Sequence, residues 1–159
     1  MRTIEVKLYK FSELSDKAKE RAISDWRNTG DNYNDWTDDV SSLKAFLDHF
    51  RIQERGYSVS PYSYSYVKTN AETSHFRGVQ LKQFTGDEMP TGYCQDYPLW
   101  HTFYTEFKAT GNAHAAFICA LDAWVKAVCA DMEYQDSDEA ITESIECNEY
   151  EFDENGVMV

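Results

Sequence analysis

Residues 112–132 constrain this chain more than any other stretch. Ala113, Ala116, Phe117, Ala120, Leu121, Trp124, Val125 and Val128 recur at spacings of three and four, which makes a broad apolar stripe on one long helix. A stripe that wide must be covered from several sides, so the spacing predicts the central helix of the fold. Every other segment has to be read as something that packs against it or around it.

The N-terminal residues 3–11, TIEVKLYKF, alternate apolar and charged side chains, with Ile4, Val6 and Leu8 on one face. That is the period of a half-buried strand. Leu14, Ala18, Ala22 and Trp26 then recur every four residues with Ile23 beside them, and Ser12 or Ser15 can cap the helix they imply. A second helix is predicted over Tyr33–Phe50 from Trp36, Val40, Leu43, Leu47 and Phe50, with Asp31, Asp35, Asp38 and Asp39 at its positive pole. Residues 57–68, YSVSPYSYSYVK, alternate with a change of phase at Ser60-Pro61, which predicts a strand with a bulge or an edge position. A further strand is predicted within His75–Phe84, a loop over 85–98, and a short helix over Leu99–Phe107. Ser137 caps a predicted acidic helix, Asp138–Cys147, with Ala140, Ile141 and Ile145 inward. The closing NEYEFDENGVMV reads as strand, Asn155-Gly156 turn, strand.

Together these elements predict an α+β fold in which one small, mainly antiparallel sheet is packed by about five helices. The sheet combines the N-terminal strand, the strands of 57–84 and the C-terminal hairpin, with the two chain ends paired. At 159 residues the chain fits a single domain, 1–159, and two separate cores are not expected. No apolar run approaches the roughly 20 residues that span a bilayer, and the N-terminus lacks the apolar stretch of a signal peptide. The expected location is therefore the cytoplasm. Cys94, Cys119, Cys129 and Cys147 form no CxxC pair. Cys119 and Cys129 fall among alanines, where reduced, buried thiols are expected, and Cys94 falls in the predicted loop.

Charge is the second strong signal. The last 29 residues carry eleven of the 28 acids and no Lys or Arg, while residues 1–130 hold 17 acids against 15 bases. The net −13 is thus mostly one C-terminal patch, which repels nucleic acid and attracts basic partners. Glu139, Glu143 and Glu146 recur at i, i+4 and i+7 on one helix face. Glu149, Glu151 and Asp153 alternate along the strand that follows. Rows of carboxylates like these can mimic a phosphate backbone, and the plain alternative is a solvated face. Tyr62, Tyr64 and Tyr66, interleaved with Ser63 and Ser65, form the other candidate surface. Tyr and Ser together are the chemistry of protein-binding surfaces. The same pattern also suits a core face beneath a helix, whereas base stacking would need surrounding Lys and Arg.

Signals for catalysis are missing. There is no GxSxG, Walker A or GxGxxG, and His49, His75, His101 and His114 contain no i, i+4 metal pair. The segment Asp31-Asn32-Tyr33-Asn34-Asp35 departs from a calcium loop at Trp36 and Ser42, where Gly and Glu are required. The segment His75-Phe76-Arg77-Gly78 has the chemistry to bind an anion, and its plain alternative is an ordinary strand with one exposed base. The chain is therefore read as a binding protein and not an enzyme, with no metal and no other cofactor.

YKFSELSDKAKERAISDWR at the start and SDEAITESIECNEYEFDENG at the end resemble a family of small acidic phage and prophage proteins labelled antitoxins of toxin–antitoxin stability systems. The likeness covers the two ends of the chain and leaves residues 33–136 outside it. It implies a phage origin and a bacterial host cell. Joined to the acidic patch, it leads to an expected function. The chain would inhibit a bacterial defence nuclease or nucleic-acid-binding complex, of anti-CRISPR or anti-restriction type, by binding a basic protein or ribonucleoprotein and no nucleic acid directly. Glu139, Glu143, Glu146, Glu149, Glu151, Asp153, Tyr62, Tyr64 and Tyr66 are the expected contact residues. An antitoxin that neutralises a basic toxin is the alternative, and an enzyme that modifies a host component is the third reading.

Overall fold

A computed structural model describes residues 7–28 and 37–159. In chain order the elements are β1 (Tyr9–Lys10), α1 (Asp16–Asn28), α2 (Thr37–His49), β2 (Glu54–Ser58), β3 (Tyr66–Thr69), α3 (Asp96–Thr110), α4 (Ala113–Gln135), α5 (Asp138–Cys147) and β4 (Glu151–Phe152). The class is α+β, with five α-helices among the described residues, as the periodicities predict. The β structure is divided between two antiparallel ribbons, β1 with β4 and β2 with β3, where one sheet was expected. The core is divided as well. Two compact units each close over an apolar cluster of their own.

The first unit gathers the described part of Met1–Asn34 with Glu133–Val159. Its core is the α1 stripe of Leu14, Ala18, Ala22 and Trp26 packed with Phe11, Ile141, Ile145 and Phe152. Ser15 Oγ accepts from Ala18 N at 3.4 Å, so the predicted cap is present. The chain ends pair as expected, with Tyr9 opposite Phe152 and Lys10 opposite Glu151. The C-terminal turn differs from a two-residue Asn-Gly loop. Asp153 accepts from Asn155 N at 2.8 Å and Val157 N at 2.9 Å, and Phe152 bridges Met158. Gly156 (φ +81) lies so close to α1 that a Cβ there would sit 2.1 Å from Ala18 O. Glycine is the residue that tolerates both the backbone angle and the contact.

The second unit is the described part of Asp35–Met132. The broad stripe of α4 forms its middle as predicted, with Ala116, Phe117, Ala120 and Trp124 wholly buried. Phe46 of α2 stacks on Phe117 at 5.3 Å and meets Trp100 of α3 edge-on at 4.9 Å. Trp124 Nε1 donates to Asp39 O at 3.1 Å, which satisfies the one polar atom of that side chain. With 23 residues, α4 is long and apolar enough to cross a membrane by length and composition, contrary to the expectation that no segment would be. Eight of its side chains are core residues.

Three further elements differ from expectation. Residues 57–68 are no single strand, because β2 ends at Ser58 and β3 begins at Tyr66. Pro61 lies in the turn between them, and the bulge falls instead between Glu54 and Gly56. His75–Phe84 forms no strand either, but two 3-10 turns, Thr73–Phe76 and Leu81–Gln83. Local side chains take over the backbone donors that a ladder would use. Glu72 N donates to His75 Nδ1 at 3.2 Å and Gln80 N donates to Gln83 Oε1 at 2.7 Å. Finally, the four cysteines are free but not buried. Cys94, Cys119 and Cys147 are exposed and Cys129 is half-buried, since positions 119 and 129 fall off the α4 stripe. The calcium-like segment, the strand residues before Lys7 and the start of the second predicted helix lie outside the described residues.

Candidate functional site

The acidic face is built from the cap outward. Ser137 Oγ accepts from Ala140 N at 3.2 Å and starts α5 at the predicted residue. Arg27 of α1 fastens the same corner. Its guanidinium donates to Asp136 O at 3.0 and 3.3 Å and to Asp138 Oδ1 at 2.6 Å. A carboxylate at the positive pole of a helix is favourable in itself. Asp138 is therefore a structural charge, already engaged by Arg27.

Ile141 and Ile145 point inward and are fully buried. At about 100° per residue, Glu139, Glu143 and Glu146 then fall within about 60° of one another on the opposite side. All three are exposed, as the spacing implied. Among the described residues Tyr134 engages them in a hydrogen bond, its OH donating to Glu143 Oε2 at 3.4 Å. The Glu143 charge, with a little burial and the Glu139 charge, raises the Tyr134 hydroxyl above its ordinary value.

The remaining three carboxylates do not share a strand face. Glu149 sits in the turn that ends α5, where Glu149 N donates to Glu146 O at 3.1 Å and Tyr150 N to Ile145 O at 3.4 Å. It adopts φ +54, in the left-handed region. Glycine or asparagine is usual there, and a carboxylate beside the negative pole of a helix is unfavourable. Glu151 is in β4, opposite Lys10, so the fold brings one base to a face that had none in its own sequence. A cleft in this unit is lined by Lys10, Phe11, Ser12, Glu146, Glu149 and Tyr150. Asp153 is the staple of the terminal turn. The Val157 N–H is the main cause that holds its carboxyl below the ordinary range, and Asn155 and the Arg21 charge act in the same direction against slight burial. That carboxylate is occupied within the turn and does not extend the row.

The tyrosines belong to the second unit and stand at the tip of the β2–β3 hairpin. Ser65 Oγ accepts from Ser60 N and donates to Ser60 O, both at 2.9 Å, and Tyr62 N donates to Ser60 Oγ at 3.2 Å. These bonds tie the loop across its neck, so two of the serines shape the loop rather than offering adaptable contacts. Tyr62 and Tyr64 project from it, 74% and 82% exposed, which rules out the core-face alternative for both. Tyr66 is half-buried in β3, 5.8 Å from the Tyr64 ring, with Lys68 Nζ 4.7 Å above it.

Among the described residues no group of three or more His, Cys, Asp or Glu is placed to hold a metal ion. His101 stacks on Tyr97, and His114 meets the Phe76 ring at a tilt. The segment His75–Gly78, one reading of which is an anion binder, walls a cleft in the second unit together with His49 and Arg51, a pairing that the sequence did not indicate. No protein-family model, curated protein or solved structure matches this chain.

Proposed function

We propose that this chain is a stoichiometric inhibitor that docks its α5 face into a Lys/Arg-rich groove on a partner protein. The carrying observation is the outer row of Glu139, Glu143 and Glu146, extended by Glu149 in a conformation and at a helix pole that both oppose a glutamate. Like charges at i, i+4 and a carboxylate at the negative pole each reduce helix stability. A sequence that keeps them against local preference is consistent with a use for the charge. The resemblance of the chain ends supplies the setting. The partner would be a defence nuclease or nucleic-acid-binding complex of a bacterial host, met by a phage protein. Tyr62 and Tyr64 offer a separate anchor of large, rigid contact area.

Inhibition titrations against a panel of purified RNA-guided and restriction nucleases test this reading, with a small basic toxin as the competing partner. The expected endpoint is one inhibitor per nuclease. Replacing Glu139, Glu143 and Glu146 by Gln should leave the fold intact, slow association and flatten its salt dependence. Unchanged binding at every ionic strength would refute electrostatic capture by α5. Capture of the toxin alone would favour the antitoxin reading, and turnover at substoichiometric protein would identify an enzyme.

A further inference from the structure

Two segments of the second unit that are distant in sequence wall one open cleft of about 350 Å³. His49 and Arg51 come from the end of α2, and His75 and Arg77 come from the 3-10 turn and the residue after it. Gln83, Phe50 and Phe84 also line it. Among the described residues no carboxylate lines it, although this unit's sequence holds twelve acids against eight bases. Among the described residues the ion pairs are Arg21–Asp25 and Arg27–Asp138, so neither Arg51 nor Arg77 is neutralised by a partner.

The negative pole of α2 accounts for His49 and Arg51 alone. It gives no reason for Arg77 and His75 to face the same space. Nor does it favour Arg51 in the left-handed region at φ +56, where Arg51 N donates to Asp48 O and Ile52 N to Leu47 O. Glycine is the usual residue at that step, and an outlier of this kind points toward use of the side chain.

The polar groups available in the cleft are donors. His75 Nδ1 is engaged by the Glu72 backbone, 3.2 Å from its N and 3.3 Å from its O, which leaves Nε2 for a ligand, and protonation of the ring makes Nε2 a donor. Gln83 Oε1 accepts from Gln80 N, which leaves its amide nitrogen. Burial lowers the His49 pKa, against the opposing Glu88 charge, so that ring contributes no fixed positive charge at neutral pH. Two guanidiniums, one imidazole N–H and one amide can surround an anion from several sides. A carboxylate is satisfied by a single guanidinium fork, whereas a phosphate dianion has three terminal oxygens to be met.

We propose that this cleft binds the phosphate group of a small phosphate monoester, with Arg51 and Arg77 as its principal ligands. A polynucleotide is disfavoured as the source of that phosphate by the net −13 of the chain. The site belongs to a different unit from the α5 face and stands whether or not the inhibitor reading does.

Calorimetric titrations with inorganic phosphate, AMP and adenosine test the proposal. Phosphate and AMP should bind saturably and adenosine should not. Replacing Arg51 and Arg77 together by Gln should weaken AMP binding about tenfold or more, the loss expected from removing charge-assisted hydrogen bonds. On the unaltered protein, phosphate should slow phenylglyoxal labelling of Arg51 and Arg77, a readout that does not depend on the variant folding. Absence of saturable binding, adenosine binding as well as AMP, unslowed labelling, or a folded double variant with undiminished affinity would each overturn the proposal. Tighter binding of a 5′-phosphorylated oligonucleotide than of AMP would overturn the small-ligand source.

Discussion

Replacing Glu149 by Gly should stabilise the protein, although it deletes a side chain. At φ +54 the backbone of Glu149 lies where an L-residue is disfavoured by roughly 1–2 kcal/mol, and glycine is not. Glycine gives back about 0.5–1 kcal/mol through the extra freedom of the unfolded chain. At the middle of the two ranges the net backbone gain is about 0.75 kcal/mol, or roughly 1.5–3 °C in melting temperature for a chain of this size. Removing a carboxylate from the negative pole of α5 acts in the same direction and weakens with salt. Denaturant unfolding monitored by circular dichroism, in low and high salt, measures the sum. The Glu149→Gln variant keeps the backbone strain and removes the charge, so it should show only the salt-sensitive part. If Glu149→Gly is neutral or destabilising while Glu149→Gln is silent, the left-handed turn is not strained and the argument built on it fails. Partner binding should fall in both variants, which would separate the stability of this turn from its use.

Two other perturbations test the packing and the electrostatics. Gly156→Ala should destabilise the first unit by about 2 kcal/mol or more, because φ +81 and a Cβ 2.1 Å from Ala18 O both oppose it. Thermal unfolding of the variant checks this, and an unchanged midpoint would show that the turn can move away from α1. The carboxyl of Asp39 is pushed up to about 6, by burial first and then by the charges of Asp131 and Asp38. Unfolded, it titrates near 3.8, so the folded protein holds this proton more tightly. Its contribution to stability is full below about pH 4 and is lost as the pH rises through about 6. Because Asp39 is only half-buried, Asp39→Asn should raise stability at pH 7 by about 1 kcal/mol, after allowance for solvent screening, and flatten the profile between pH 4 and 6. Stability curves that keep the same slope in that window would count against the assignment.

Where periodicity and capping chemistry act locally, the sequence was legible. The stripe of α4, the i, i+4 row of α1 and the Ser137 cap of α5 each depend on residues within one or two turns, and each stands where it was expected. Pairing of the two chain ends was legible too, because complementary strand patterns stood at both. The region from Tyr57 to Phe84 was misread because alternation alone cannot tell a strand from a hairpin or from turns. There Ser60 and Ser65 close a loop, and His75 and Gln83 take backbone donors that a ladder would need.

By itself the sequence determined the helical class, the unequal distribution of charge and the outward direction of Glu139, Glu143 and Glu146. Each of these follows from spacing along one element or from a sum over residues. Only tertiary structure decided which charges are free and which are already engaged. Arg27 takes Asp138, the terminal turn takes Asp153, and Lys10 comes to stand opposite Glu151. Only tertiary structure brought Arg51 and Arg77 to one cleft, because their meeting depends on how α2 and the turn before Arg77 pack within the second unit. The physical reason is the same in every case. A helix or strand is specified by neighbours along the chain, whereas the partner of a charge is specified by distance in space.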